Sequence, residues 1–309
     1  MAESTDPWVE KYRPITLEEI VLDSTNKTII KNIIDNQTFP NLLFYGPPGT
    51  GKTTTILNLI RDYQKTTSGV NKSLVIHLNA SDERGIDTIR NVIYEFTNTN
   101  GLFQNGIKFV ILDEVDSMTK NAQQALKILI QNIRTPTRFC LITNYLSKVD
   151  ISLRNYCVSM RFNQLPIFNI LQTLTKINIE EKIGLDGNQL ETIQKKFCSD
   201  MRSMINYMQM IQINIQTVIT DNVLGTITDC LINNTKKDML NLFDTIVLTY
   251  NISVLEIIKA YFTYIIRNHK EYVSNDLLAF IEKLLHCNCT SYSLIKHYFI
   301  IHMKILLHP

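Results

Sequence analysis

The chain has 309 residues, a length that suits two or three domains better than one. Hydrophobic residues at 45% against 19% charged exclude a disordered chain, and no apolar run approaches the roughly 18 residues of a membrane span. A net charge of +2 excludes a uniformly basic surface, so any nucleic-acid contact must come from a local basic face. The first residues, MAESTDPW, are acidic and polar, unlike a secretory signal, and six scattered cysteines fit the reduced thiols of an intracellular protein.

Up to about residue 163, short apolar runs alternate with helical patterns. The expected strands are 42–45, 74–78, 109–112, 139–143 and 157–162. Helices are expected near 52–65, 86–97 and 119–133. Strands separated by helices predict a parallel sheet covered on both faces. Beyond residue 165 the strand signals fade. Short helices are expected over 166–182, 188–198 and 200–214, then longer amphipathic ones over 236–250, 253–268, 275–286 and 292–306. The fold class is therefore α/β, a parallel-sheet nucleotide-binding domain over 1–163. A small helical domain (164–228) and an all-α domain (229–309) follow it.

The segment LLFYGPPGTGKTTT, residues 42–55, fits G-x-x-x-x-G-K-[ST] between a strand and a helix. Gly46, Pro47, Pro48, Gly49, Thr50 and Gly51 form the loop, whose backbone N–H groups wrap phosphates at a helix N-terminus. Lys52 then reaches the β/γ-phosphates of ATP, the Thr53 hydroxyl takes Mg²⁺, and Thr54 continues the first turn. A plain Gly/Pro turn would not carry this flanking context. FVILDEVD, residues 109–116, ends a buried run in two acids at the strand edge where open α/β sheets bind ligands. Asp113 is assigned to the Mg²⁺ shell and Glu114 to general-base activation of water. Asn144, ending FCLITN, is placed to orient that water, though an asparagine after a strand is also an ordinary turn residue.

Together these motifs resemble the AAA+ ATPases, and the segments around them resemble the small subunits of replication factor C, the clamp loader. PWVEKYRP (7–14), NASDERGIDTIR (79–90), LDEVDSMT, AQQALK and TRFCLITNYLSK (within 112–148), and SDMRSMINYMQ (199–209) carry the likeness, which thins over the last hundred residues. The resemblance implies that Val9, Tyr12 and Arg13 cover the adenine, that Asn144 is the first sensor, and that Arg202 contacts the γ-phosphate from the lid. It implies a collar in the C-terminal helices, a heteropentamer with other clamp-loader subunits, a sliding clamp and primer-template DNA as partners, and no membrane. It places the protein at sites of DNA replication, in a nucleus or a viral replication compartment. An ATP-binding structural subunit with little hydrolysis, or another AAA+ DNA remodeller such as a homohexameric branch-migration motor, are the alternatives.

The resemblance also implies DNA-backbone contacts by Arg84 and Arg90, with Lys127 standing where the family commonly has Arg. The two arginines are about 600° apart on a regular helix, but Arg84 falls in the loop before it. Solvated surface charge is the competing reading. Leu102 and Phe103 lie where the family touches the clamp, and core packing explains them equally well. His286, Cys287, Cys289, His297 and His302 do not have zinc spacing and read as helix packing. One departure stands out in SLRNYCVSMRF, residues 152–162. The family carries Ser-Arg-Cys here, with the arginine reaching the neighbour's γ-phosphate, and alignment on Cys157 puts Tyr156 at the arginine position. Arg154 is the nearby substitute and candidate trans finger, and Arg161 belongs to the strand.

Overall fold

The computed structural model describes residues 6–67, 69–81, 86–98, 106–133, 135–213, 218–286 and 291–307, with the side chains of 86–90 outside that description. The helices α1 (Trp8–Lys11) and α2 (Ser24–Asp35) precede β1 (Leu42–Tyr45). Then α3 (Lys52–Thr67) leads to β2 (Val75–Asn79) and α4 (Ile86–Asn98) to β3 (Lys108–Asp113). Next, α5 (Lys120–Asn132) leads to β4 (Thr137–Thr143) and the short α6 (Ile151–Arg154) to β5 (Val158–Arg161). Among the described residues only helices follow: α7 (Ile167–Glu180), α8 (Gly187–Phe197), α9 (Met201–Gln212), α10 (Asp221–Asn233), α11 (Lys236–Tyr250), α12 (Val254–Asn268), α13 (Asn275–Leu285) and α14 (Tyr292–Leu307).

Among the described residues the strands form one parallel sheet in the order β2-β3-β4-β1-β5. Successive strand side chains point to opposite faces, and here both faces are apolar. Leu42, Phe44, Phe109, Ile111, Cys140 and Ile142 pack with Ile30 and Ile33 of α2 and Ile56 and Leu59 of α3. The alternate positions Leu43, Val110, Leu112, Phe139 and Leu141 pack with Ile93 of α4, Leu126 and Leu129 of α5 and Leu153 of α6. This explains why the strands read as unbroken apolar runs. Because β1 lies between β4 and β5, the chain must cross to the far edge to make β2. That reversal opens a crevice at the C-terminal ends of β1, β4 and β3.

The chain divides into two compact units: Met1–Gln172 with Phe197–Ser203, and Thr173–Lys196 with Met204–Pro309. The core of the helical unit runs from Leu224 and Ile227 of α10 to Met303 and Leu307 of α14. Phe299 is its hub, meeting the rings of Phe243, Tyr261 and Phe262 at 5.6, 5.7 and 5.6 Å. The buried Tyr261 hydroxyl is satisfied by Thr228 at 3.2 Å. Capping boxes at Thr235/Asp238 and Ser253/Glu256 fix where α11 and α12 begin. No single helix among the described residues is long and apolar enough to cross a membrane.

The five strands lie within about two residues of their expected positions. Among the described residues four helices are additions: α1, α2, α6 and α10. The sequence of α10, DNVLGTITDCLIN, is poor in helix formers. Burial of Leu224, Ile227 and Leu231 on one face holds it helical.

Candidate active site

The buried β1 ends at Tyr45, whose register partner in β4 is Thr143, so Gly46 and Asn144 leave the sheet side by side. Lys52 opens α3 and turns its ammonium back into the loop. Nζ donates to Gly46 O at 2.8 Å, to Pro47 O at 2.7 Å and to Asn144 Oδ1 at 2.9 Å. Burial, opposed by Asp113 and Asp116 and aided by the charge of Arg202, pulls the Lys52 pKa down to about 8. Within the loop, the Thr50 hydroxyl donates to Pro47 O at 2.8 Å. Gly46 (φ +149°) and Gly49 (φ +70°) are required by crowding as well as by dihedral angle. A Cβ on Gly46 would stand 2.1 Å from Phe162 O, and one on Gly49 2.0 Å from Asp200 Oδ1.

The Thr53 hydroxyl donates to Asp113 Oδ2 at 2.8 Å, joining the first turn of α3 to the end of β3. Asp113 Oδ1 accepts from the Glu114 N–H at 2.9 Å. His77 Nε2 lies 3.9 Å from Asp113 Oδ2. Burial alone would raise the Asp113 pKa, but His77, Thr53 and the Glu114 N–H outweigh it and hold the carboxyl below its usual value. A hydroxyl beside a carboxylate, all oxygen, fits Mg²⁺ in preference to a soft metal. Glu114 is exposed at the rim of this group. Its backbone is left-handed (φ 57°, ψ 40°), which costs on the order of 1 kcal/mol for a residue with a side chain. The conformation is held because Glu114 O accepts from Ser117 N at 2.9 Å and Ser117 Oγ at 2.7 Å.

The N-terminal box is fastened along α3. Pro14 O accepts from Asn58 Nδ2 at 3.0 Å, and Ile15 O accepts from the Arg61 guanidinium. Trp8 is buried with its ring 6.4 Å from that of Tyr12. Val9, Tyr12 and Arg13 are half-buried. Arg13 pairs with Glu10 at 3.1 Å and shares with Thr54 the lining of a cavity of about 500 Å³. Arg202, in the first turn of α9, is exposed, and its charge is felt at Lys52.

Arg84, Leu102 and Phe103 lie outside the described residues, and Arg90 is placed on α4 by its backbone alone. Lys127 is half-buried on α5, within electrostatic reach of Asp150. Arg154 ends α6, and its Nε donates to Val149 O at 2.7 Å. The Tyr156 side chain is 40% exposed, and its hydroxyl is bonded to Gln131 of α5. Two site neighbours are absent from the sequence reading, His77 and Asp200. A histidine within the apolar run VIHLN is a visible signal for the first. The approach of Asp200 to Gly49 spans about 150 residues and leaves no local signal.

Residues 42–165 match the AAA family, the ATPase family associated with various cellular activities. The fold and site accordingly define an AAA-type P-loop domain. The chain is 42% identical over 204 residues to replication factor C subunit 3 of Saccharomyces cerevisiae, covering 66% of this chain and 59% of that one. It is 39% identical over 239 residues to replication factor C subunit 5 of Homo sapiens, covering 77% and 68%. The replication factor C small subunit of Thermofilum pendens is 42% identical over 206 residues, covering 67% and 62%. The chain belongs to the replication factor C subunit family. Among solved structures it is similar to Thermotoga maritima RuvB, a Holliday junction branch migration motor, with a TM-score of 0.52 over 83% of this chain and 91% of that one. At 15% identity that likeness shows the fold alone.

Proposed function

We propose that this chain is an ATP-hydrolysing small subunit of a heteropentameric clamp loader, which opens a sliding clamp and loads it onto primer-template DNA during replication. The observation that carries the ATPase half of this reading is the pair of links Lys52–Asn144 and Thr53–Asp113, which gather residues of α3, β3 and β4 into one crevice. The loader half is supported by the family to which the chain belongs.

In this reading the loop Gly46–Gly51 and Lys52 bind the phosphates of ATP, and Val9, Tyr12 and Arg13 cover the adenine. Thr53 and Asp113 would hold Mg²⁺, which would supply charge neutralisation to the bound phosphates. Glu114 accepts a proton from the attacking water, which Asn144 orients. Arg202 and Lys52 bring two positive charges to one region, the arrangement that favours a γ-phosphate there. Arg84, Arg90 and Lys127 contact DNA phosphates, which suits a sequence-independent loader because phosphates carry no sequence information. Leu102 and Phe103 meet the clamp. Residues 164–228 act as the lid and 229–309 as the collar that joins the subunits. Hydrolysis depends on DNA and takes place where replication does, in a nucleus or viral compartment.

Tyr156 stands where the family supplies an arginine to its neighbour, and the Arg154 bond to Val149 O must rearrange before that side chain could substitute. The subunit therefore hydrolyses its own ATP and activates its neighbour poorly. Co-expression with partner subunits, followed by ATPase measurement with and without primed DNA and clamp, tests the proposal. A homohexamer indifferent to both would contradict it.

A further inference from the structure

We infer that Asp200 is a positioning residue that ties Arg202 to the tip of the phosphate loop through Gly49. The inference rests on the reading of Arg202 as a γ-phosphate ligand. Its geometry is independent of that reading. Asp200 immediately precedes α9, and both its carboxylate oxygens hold the first turn of that helix. Oδ1 accepts from Ser203 N at 3.2 Å and Oδ2 from Ser203 Oγ at 2.8 Å. The same side chain lies against the loop. A Cβ placed on Gly49 would stand 2.0 Å from Asp200 Oδ1 and 2.8 Å from its Cα and Cγ. The backbone leading into the helix is tightly wound, with Cys198 left-handed at φ 58°, Asp200 N donating to Phe197 O at 3.1 Å and Ser199 buried. The segment Phe197–Ser203 packs as part of the nucleotide-binding unit.

Helix capping accounts for the bonds to Ser203 but not for the contact with Gly49. A serine or asparagine would cap α9 as well without setting an anion against an anion-binding loop. The carboxylate has a further consequence there. It packs against the loop tip at Gly49 while it caps the start of the helix that carries Arg202 two residues later. A shift of the loop around a nucleotide is then passed to the Arg202 guanidinium, and the helix cannot carry Arg202 away without uncovering Gly49.

The test is equilibrium binding of a non-hydrolysable ATP analogue and of ADP to the full-length chain, as a double-mutant cycle. Arg202→Ala is expected to reduce the preference for the ATP analogue over ADP by about tenfold or more, the range of a charge-assisted hydrogen bond. Asp200→Ala is expected to reduce the preference by a similar factor, and the double variant no further. Asp200→Ser keeps a helix cap and serves if the alanine variant does not fold; it too is expected to lose preference. Equal weakening of both nucleotides by the Asp200 variants would show a cap and nothing more, and multiplying factors in the double variant would show two independent residues. Either result overturns the link. An unchanged preference in Arg202→Ala overturns the assignment of Arg202 as well. Loss in Arg202→Ala with none in the Asp200 variants overturns the link alone.

Discussion

The Thr53 hydroxyl donates to Asp113 Oδ2 at 2.8 Å, so two groups sixty positions apart in sequence present their oxygens to one point. Asp113→Asn should keep the fold and sharply lower Mg²⁺-dependent turnover. The loss should be several kcal/mol of transition-state stabilisation, on the order of 10²–10³ in kcat. A Mg²⁺ titration of ATP hydrolysis checks this. An unchanged metal dependence would move the metal site elsewhere.

Glu114 combines a proposed catalytic carboxylate with a left-handed backbone. Glu114→Gly should raise thermodynamic stability by about 1 kcal/mol while removing turnover. Paired urea denaturation and ATPase measurements would show the opposed effects. A variant that is less stable would mean that the side chain contributes more to the fold than its exposure indicates.

The pKa of Lys52, about 8, gives a pH signature. Below that value the free protein carries the ammonium. As pH rises through it the proton is lost, and ATP binding must then recover it, so affinity should fall above about pH 8. The phosphates themselves are fully ionised above about pH 7 and add no slope there. Equilibrium binding from pH 7.5 to 9.5 should show the fall, and Lys52→Arg, charged throughout, should not.

The glycines of the loop should differ in tolerance. Gly46→Ala puts a Cβ 2.1 Å from Phe162 O and should destabilise the chain by about 3 kcal/mol or more. Gly51→Ala meets nothing closer than Ile20 Cγ2 at 3.8 Å and should cost only its positive φ, about 1–2 kcal/mol. Thermal unfolding of the two variants gives the comparison.

Tyr156→Arg should give a gain of function. In the assembled complex it should raise hydrolysis at the neighbouring site by about 10³-fold or more, the contribution of an arginine supplied in trans. Arg154→Ala should leave that rate unchanged if Arg154 does not replace the missing finger. A fall would assign it the role.

The nucleotide site is legible in the sequence where chemistry and spacing coincide locally. Gly46 to Thr53 are eight consecutive residues, and Asp113 and Glu114 end an apolar run whose burial any parallel sheet requires. The sequence is less informative where packing decides. In α2, STNKTIIKNIID is mostly weak helix formers apart from Lys27 and Lys31, and the Asp23 cap on Asn26 with burial of Ile30 and Ile33 makes the helix. His77 and Asp200 reach the site through space. The apolar run VIHLN marks His77 as unusual without naming its partner, and nothing local marks Asp200; the sheet register and the turn before α9 bring them to Asp113 and Gly49.

The central claim is tested most directly by the steady-state ATPase rate of the chain assembled with its partner subunits, with and without primed DNA and clamp, in wild type and Glu114→Gln. The account predicts stimulation by both ligands in the wild type and a loss on the order of 10²–10⁴ in the variant, with ATP still bound. A rate indifferent to DNA and clamp, or undiminished by Glu114→Gln, would contradict it.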